Sequence, residues 1–229
     1  MNIAGLQKTT LLDYPGKVAA TIFTSSCNMR CPFCHNMNLV TSPVSYYSES
    51  DIFDFLKKRS GILEGVCITG GEPTLWPELY DFIGQIKQMG FLVKLDTNGT
   101  NPDMLCRLIT DNLIDYVAMD IKSSIAEYPK ACGVNNIDTD KIESSINLLL
   151  RGSVEYEFRT TMIASFHNRK VMEDIGIMLK GAKNYYLQSF IDSEFVPDHS
   201  LLAPSKEDLI SMCEMLKEYI TNVSLRGID

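Results

Sequence analysis

The 229-residue chain contains no apolar run long enough to cross a bilayer, and its N-terminus lacks a basic segment followed by a long apolar stretch. Those absences point away from membrane spanning and secretion, so a cytoplasmic protein with no membrane partner is expected. Positive charge is also scarce: 21 Lys and Arg stand against 29 Asp and Glu, a net charge of −8. General nucleic-acid binding needs a basic stripe for phosphate contacts, which argues against that class. No repeat of fixed period, low-complexity tract or linker is present. Hydrophobic residues make up 45% of the chain, enough to fill one sizeable core, so residues 1–229 are expected to form a single domain.

A disulfide framework is missing too. Seven cysteines is an odd number, and three of them, Cys27, Cys31 and Cys34, crowd into eight residues. That spacing suits metal ligation in a reducing compartment. Thiolates are soft ligands that favour iron–sulfur clusters or zinc. Three thiolates on a four-iron cube leave one iron without a protein ligand, and the open position can chelate the amino and carboxylate groups of a small molecule. The alternative is a closed Cys3His zinc site with His35 as fourth ligand. His35 directly follows Cys34, and adjacent residues rarely aim both side chains at one metal comfortably. Cys67, Cys106, Cys132 and Cys213 are scattered and read as buried thiols. His167 and His199 read as surface or loop histidines.

Apolar β-rich runs alternate with segments of helical period along the whole chain. Strands are predicted at Val18–Thr24, Gly65–Thr69, Phe91–Asp96, Tyr116–Ile121, Glu155–Thr161 and Tyr185–Phe190. Helices are predicted near Glu49–Lys58, Pro77–Met89, Asn101–Asp111, Asp140–Arg151, Arg169–Gly181 and Pro204–Tyr219, with Pro77, Pro102 and Pro204 at helix starts. A βα series of this kind implies a parallel sheet with right-handed crossovers. Six strands fall short of the eight of a closed barrel, so the expected α/β fold is an open, partial (β/α)6 barrel, an incomplete TIM barrel. The suspicious clusters all follow predicted strands: the cysteines after the first, Thr69-Gly70-Gly71-Glu72-Pro73 after the second, Asp96-Thr97-Asn98-Gly99 after the third, and Asp120-Ile121-Lys122 closing the fourth. They should converge on one mouth.

The run Cys27-Asn28-Met29-Arg30-Cys31-Pro32-Phe33-Cys34 resembles the CxxxCxxC signature of the radical S-adenosylmethionine superfamily, with aromatic Phe33 just before the third cysteine. Gly70-Gly71-Glu72-Pro73 is similar to that family's GGEP motif. Within the superfamily the chain resembles the activating enzymes of glycyl radical proteins. Asp13-Tyr14-Pro15-Gly16 is similar to their DxPG element, Cys34-His35-Asn36 to CHN, Asp96-Thr97-Asn98-Gly99 to DTNG, and Asp120-Ile121-Lys122 to DxK. The opening Gly5-Leu6-Gln7-Lys8 and Leu12 to Lys17 look most like activators of anaerobic ribonucleoside-triphosphate reductase. No cysteine-rich insert separates Cys34 from Gly70.

The resemblance implies a [4Fe–4S] cluster on Cys27, Cys31 and Cys34, S-adenosylmethionine as cofactor, and a flavodoxin- or ferredoxin-type electron donor. It implies that the backbone of Phe33 and His35 meets the adenine, that the Gly70, Gly71 and Glu72 turn meets the methionine end, and that Asp120 and Lys122 reach the ribose and carboxylate. Arg159 resembles a cofactor-contacting arginine, and Gln188 stands where some relatives have a ribose-contacting histidine. Asp96, the backbone at Thr97 and Asp120 would hold a monovalent cation, as in a relative of this class. Asp13 would meet a glycine loop of the partner, an anaerobic ribonucleotide reductase. A branched side chain at Gly71 is expected to block the cofactor while sparing the cluster. The rival functions are a radical enzyme acting on a small molecule or peptide, and a zinc-stabilised binding module.

Overall fold

The computed structural model describes residues 1–41 and 45–228. Its centre is one eight-stranded sheet in which the strands lie side by side in chain order. They are β1 (Ile3–Thr10), β2 (Ala19–Thr24), β3 (Gly65–Gly70), β4 (Leu92–Thr97), β5 (Tyr116–Asp120), β6 (Glu155–Met162), β7 (Asn184–Ser189) and β8 (Asn222–Arg226). From β2 onward every neighbouring pair is parallel, and β1 alone runs antiparallel, against β2. β1 and β8 do not pair, so the sheet stays open. The six predicted strands are β2 to β7.

The helices are α1 (Met37–Thr41), α2 (Glu49–Arg59), α3 (Leu79–Gln88), α4 (Pro102–Thr110), α5 (Tyr128–Cys132), α6 (Thr139–Leu150), α7 (Arg169–Met178) and α8 (Lys206–Leu216). None of the described helices is long and apolar enough to cross a membrane. Local chemistry sets their starts. Ser48 and Asp51 exchange side-chain and backbone hydrogen bonds in a capping box that opens α2. Asn101 caps α4 with Pro102 at the first helical position. Pro77 and Pro204 lie just outside their helices, because α3 begins at Leu79 and Ser205 caps α8.

One face of each parallel strand packs on the helices. Val66, Ile68, Val93, Leu95, Val117, Met119 and Phe158 are buried there in the core. The alternate residues point the other way, into the barrel, and many of them are charged: Lys94 and Asp96 on β4, Asp120 on β5, Glu157 and Arg159 on β6. The two strands missed by the sequence reading are edge strands without the continuous apolar run of a doubly buried parallel strand. β8 is held to the barrel interior by Arg226, whose guanidinium meets both carboxylate oxygens of buried Glu157 at 2.9 Å and stacks on the Tyr186 ring. Tyr116 completes the set by donating to Glu157 at 3.0 Å.

Removing one partner of a buried ion pair leaves the other charge uncompensated. Arg226→Ala is therefore expected to destabilise the metal-free protein by about 3 kcal/mol. The double variant Arg226→Ala/Glu157→Gln should recover part of that loss in urea unfolding. Equal stability of the two would mean that Arg226 acts only by packing.

Candidate active site

The cysteine loop leaves the C-terminal end of β2 and is braced by neighbouring strand ends. Its entry residue, Ser26, holds φ at 67°, a left-handed conformation uncommon outside glycine. Tight packing maintains it: the Ser26 carbonyl accepts from the Glu72 N–H at 2.8 Å, and the Ser26 N–H donates to the Leu39 carbonyl at 2.9 Å. Gly70 and Gly71 make room for this. Gly70 has φ +119° and a Cβ there would lie 2.2 Å from the Thr24 carbonyl oxygen, while one at Gly71 would lie 1.8 Å from that of Ser26. The glycines are thus required by the approach of two protein backbones, which alters the expectation for Gly71.

Glu72 is fully buried and ties two loops together. Its Oε1 accepts from the Thr74 N–H, the Thr74 hydroxyl and the Thr97 hydroxyl, the last at 2.7 Å, and its Oε2 accepts from the Asn98 N–H at 2.6 Å. Asn98 in turn donates to the Asn28 side chain at 2.9 Å, and Asn28 donates to the Thr100 hydroxyl at 2.9 Å. On the far side, the Arg30 N–H donates to the Cys132 carbonyl at the end of α5, at 2.8 Å. The imidazole of His35 stacks on Phe190 and its Nε2 lies 2.7 Å from the Ile191 carbonyl. Phe33 is buried against Phe166.

These loops surround a cavity of about 200 Å³. Cys27, Cys31, Cys34, Phe33, His35, Gly70, Gly71, Glu72, Thr97, Asp120, Lys122 and Arg159 all line it, so the structure brings those sequence-predicted residues together. Asp13 and Gln188 are placed elsewhere. Asp13 lies on the β1–β2 connection at the opposite end of the barrel, where it accepts from the Thr21 hydroxyl at 2.5 Å. With Gln188, Lys94, Glu157 and Arg226 it lines a second cavity of about 350 Å³. Asp96 and Arg159 border both cavities.

Between the two cavities runs a chain of charges. The Arg159 Nη2 lies 3.3 Å from Asp96 Oδ2, and its Nε lies 2.9 Å from Asp120 Oδ1. Lys94 pairs with Asp96 Oδ1, and Lys122 with Asp120 Oδ2 at 3.1 Å. Burial opposes ionisation of each group, but the opposite charges outweigh it. Arg159 and Lys122 hold the Asp120 carboxyl down to about 2, Arg159 and Lys94 depress Asp96, and Asp96 raises Lys94. All five groups are charged at neutral pH.

Sequence reasoning missed three residues here. Lys94 interrupts an apolar strand, which was the available signal. Glu157 is buried although strand Glu155–Met162 carries two glutamates. His167 was read as a surface or loop histidine and is instead 1% exposed. Its Nδ1 accepts from the Ile163 N–H at 2.9 Å, which fixes the proton on Nε2, and that N–H donates to the Lys122 carbonyl at 2.9 Å. The Lys122 N–H donates to the buried Tyr128 hydroxyl at 3.3 Å, so its backbone is held from both sides. His199 is exposed, as expected, beside Asp192. Cys67, Cys132 and Cys213 are buried, whereas Cys106 is exposed on α4.

Residues 21–176 match the Radical SAM superfamily. The chain belongs to that superfamily. A protein of Methanocaldococcus jannaschii, provisionally named a glycyl-radical enzyme activating enzyme, is 34% identical over 99% of this chain and 96% of its own length. The 7-carboxy-7-deazaguanine synthase of Haemophilus influenzae is 32% identical over 46% of this chain and 45% of its own. Among solved structures, a domain of the pyruvate-formate lyase-activating enzyme from Bacteroides vulgatus superposes with TM-score 0.58 at 20% identity, covering 71% of this chain and 99% of that one. Streptococcus suis SuiB bound to S-adenosylmethionine superposes with TM-score 0.70 at 12% identity, over 89% of this chain and 49% of that one. These structural likenesses confirm the partial-barrel fold of a radical SAM enzyme.

The cofactors of this radical SAM enzyme are a [4Fe–4S] cluster and S-adenosylmethionine. The donor set fits the cluster. Three soft thiols share one loop at the cavity, and burial pushes Cys27 up to about 11 and Cys31 up to about 12. Both are protonated without metal at neutral pH and must release protons on ligation. His35, the fourth ligand of the rival zinc reading, has its Nε2 against the Ile191 carbonyl at 2.7 Å. A cube offers each thiolate its own iron and needs the sulfurs farther apart than one ion does.

The geometry at Gly71 makes a measurable prediction. Gly71→Ala forces the Ser26 carbonyl aside and moves the cysteine loop, a strain of roughly 1–3 kcal/mol. Iron content after anaerobic reconstitution and affinity for S-adenosylmethionine should fall together. Wild-type iron with weakened affinity would restore the simpler reading that the side chain only blocks the cofactor.

Proposed function

We propose that this enzyme is a glycyl-radical enzyme activase whose partner is an anaerobic ribonucleoside-triphosphate reductase. The observation that carries the proposal is the similarity to the M. jannaschii activating enzyme over nearly the full length of both chains. The motifs Asp13-Tyr14-Pro15-Gly16, Asp96-Thr97-Asn98-Gly99 and Asp120-Ile121-Lys122 support it. When bound, the cluster and S-adenosylmethionine supply a reducing electron and a 5′-deoxyadenosyl radical able to take a hydrogen atom from a glycine.

Everything else is the work of the chain. Cys27, Cys31 and Cys34 hold the cluster, and the Glu72 brace keeps their loop at a fixed distance from the β4 end. Backbone groups at Phe33 and His35 line the adenine position. Lys122 is the cation for the cofactor carboxylate, and Asp120 accepts from ribose hydroxyls. His167 and Tyr128 are positioning residues that hold the Lys122 backbone. A flavodoxin- or ferredoxin-type donor would supply the electron. The second reading, a small-molecule radical enzyme, is favoured by the partial similarity to the deazaguanine synthase.

Substituting any of Cys27, Cys31 or Cys34 by Ser should abolish 5′-deoxyadenosine formation, while Cys213→Ala should not. With S-adenosylmethionine, a reductant and the reductase large subunit, the wild-type enzyme should generate a glycine-centred radical signal in electron paramagnetic resonance. Turnover of a small metabolite with stoichiometric 5′-deoxyadenosine and no protein radical would establish the second reading instead.

Lys122→Met should weaken S-adenosylmethionine binding by about tenfold, the scale of one charge-assisted contact. His167→Ala should raise the apparent KM for S-adenosylmethionine with less effect on kcat, and His167→Gln should recover part of the loss by restoring a donor toward the Lys122 carbonyl. Equal losses in both His167 variants, with no change in KM, would mean that His167 serves only the fold.

A further inference from the structure

We infer that the buried acid pair of this enzyme, Asp96 and Asp120, is neutralised by the chain's own Lys94, Arg159 and Lys122, so that S-adenosylmethionine binding needs no monovalent metal ion. The inference rests on the reading above that Asp120 and Lys122 face the cofactor. It departs from the expectation, drawn from resemblance, that Asp96, the backbone at Thr97 and Asp120 would hold such an ion.

Each carboxylate oxygen of the acid pair already faces a cation of the chain. Asp96 gives Oδ1 to Lys94 and Oδ2 to Arg159 Nη2, at 3.3 Å for the second. Asp120 gives Oδ1 to Arg159 Nε at 2.9 Å and Oδ2 to Lys122 at 3.1 Å. Three cations against two anions leave one positive charge in excess, and a further cation would enter against it. An ion seated between the acids would have to displace the guanidinium that bridges them. Arg159 would then be a buried charge stripped of both partners, a severe penalty.

Lys94 is the residue that makes the substitution possible. Its side chain is only 2% exposed, and the strand around it, Leu92 to Leu95, is otherwise apolar. An ammonium survives there only because Asp96 stands two residues on, on the same face. Without Lys94, one oxygen of Asp96 would be free, the excess positive charge would vanish, and a small cation could take the vacated place.

The test uses the cluster-loaded enzyme, with S-adenosylmethionine affinity measured by anaerobic calorimetry in chlorides of sodium, potassium or tetramethylammonium at matched ionic strength. Tetramethylammonium is too large to enter. The wild-type dissociation constant is expected to agree within about twofold across the three salts. Lys94→Met should become ion-responsive, binding at least about fivefold more tightly in sodium or potassium than in tetramethylammonium. A wild-type enzyme that tightens in either metal salt overturns the inference, and so does a folded Lys94→Met variant as indifferent as wild type. Should Lys94→Met fail to fold, the wild-type titration decides alone. Failure of the underlying reading has a different signature: Asp120→Asn and Lys122→Met would bind S-adenosylmethionine as wild type does, whatever the salt.

Discussion

The bridge from Asp96 through Arg159 to Asp120 is the constraint on which the rest of the active site depends. It links the inward faces of β4, β5 and β6, neighbouring strands of the open barrel. A barrel that must keep room for a cofactor cannot fill its interior with interlocking apolar side chains. Charged groups with long stems suit that interior, because they cross-link the inward faces of neighbouring strands while leaving space beside them. The same bridge forms a wall common to the cysteine cavity and the cavity near Asp13. Its net positive charge also suits a neighbour as rich in thiolate as the cluster loop.

Around that bridge the loops are braced rather than free. Glu72 is the clearest case: four donors from two loops converge on its carboxylate, and none of the side chain reaches solvent. An unsatisfied carboxylate at such a position would be very costly, so the GGEP and DTNG loops are in effect one unit. The glycines before it permit the close approach, and the left-handed Ser26 is the strained joint that results. Strain of this kind persists only where surrounding contacts over-determine it. The cysteine loop therefore leaves β2 from a braced frame.

Much of this was legible in the chain itself. The central strands were plain because a doubly covered parallel strand must be apolar, as in Val66-Cys67-Ile68, and the motif order then forced the loops to one end of the barrel. What escaped was polar. β8 was hidden because its stability comes from Arg226 and Glu157, sixty-nine residues apart in sequence, and no local pattern announces such a pair. His167 could not be told from a loop histidine, since its partners are two backbone groups. Asp13 was expected at the barrel rim facing a partner's glycine loop, but only the antiparallel turn of β1 reveals that it lies at the end away from the cysteines.

The placement of Asp13 bears on how an open barrel divides its labour. At the C-terminal end of the barrel the cysteine loop meets the segment after β7: the Asp198 N–H donates to the Pro32 carbonyl, and His35 packs on Phe190. The N-terminal end of the barrel is lined not by the apolar plug expected of a closed barrel but by Asp13, Lys94, Glu157, Gln188 and Arg226. Such polar walls can satisfy the backbone of an extended chain, whereas an apolar floor could not. The charge bridge separating the two cavities is thus both the structural tie of the barrel and the surface at which the two ends meet.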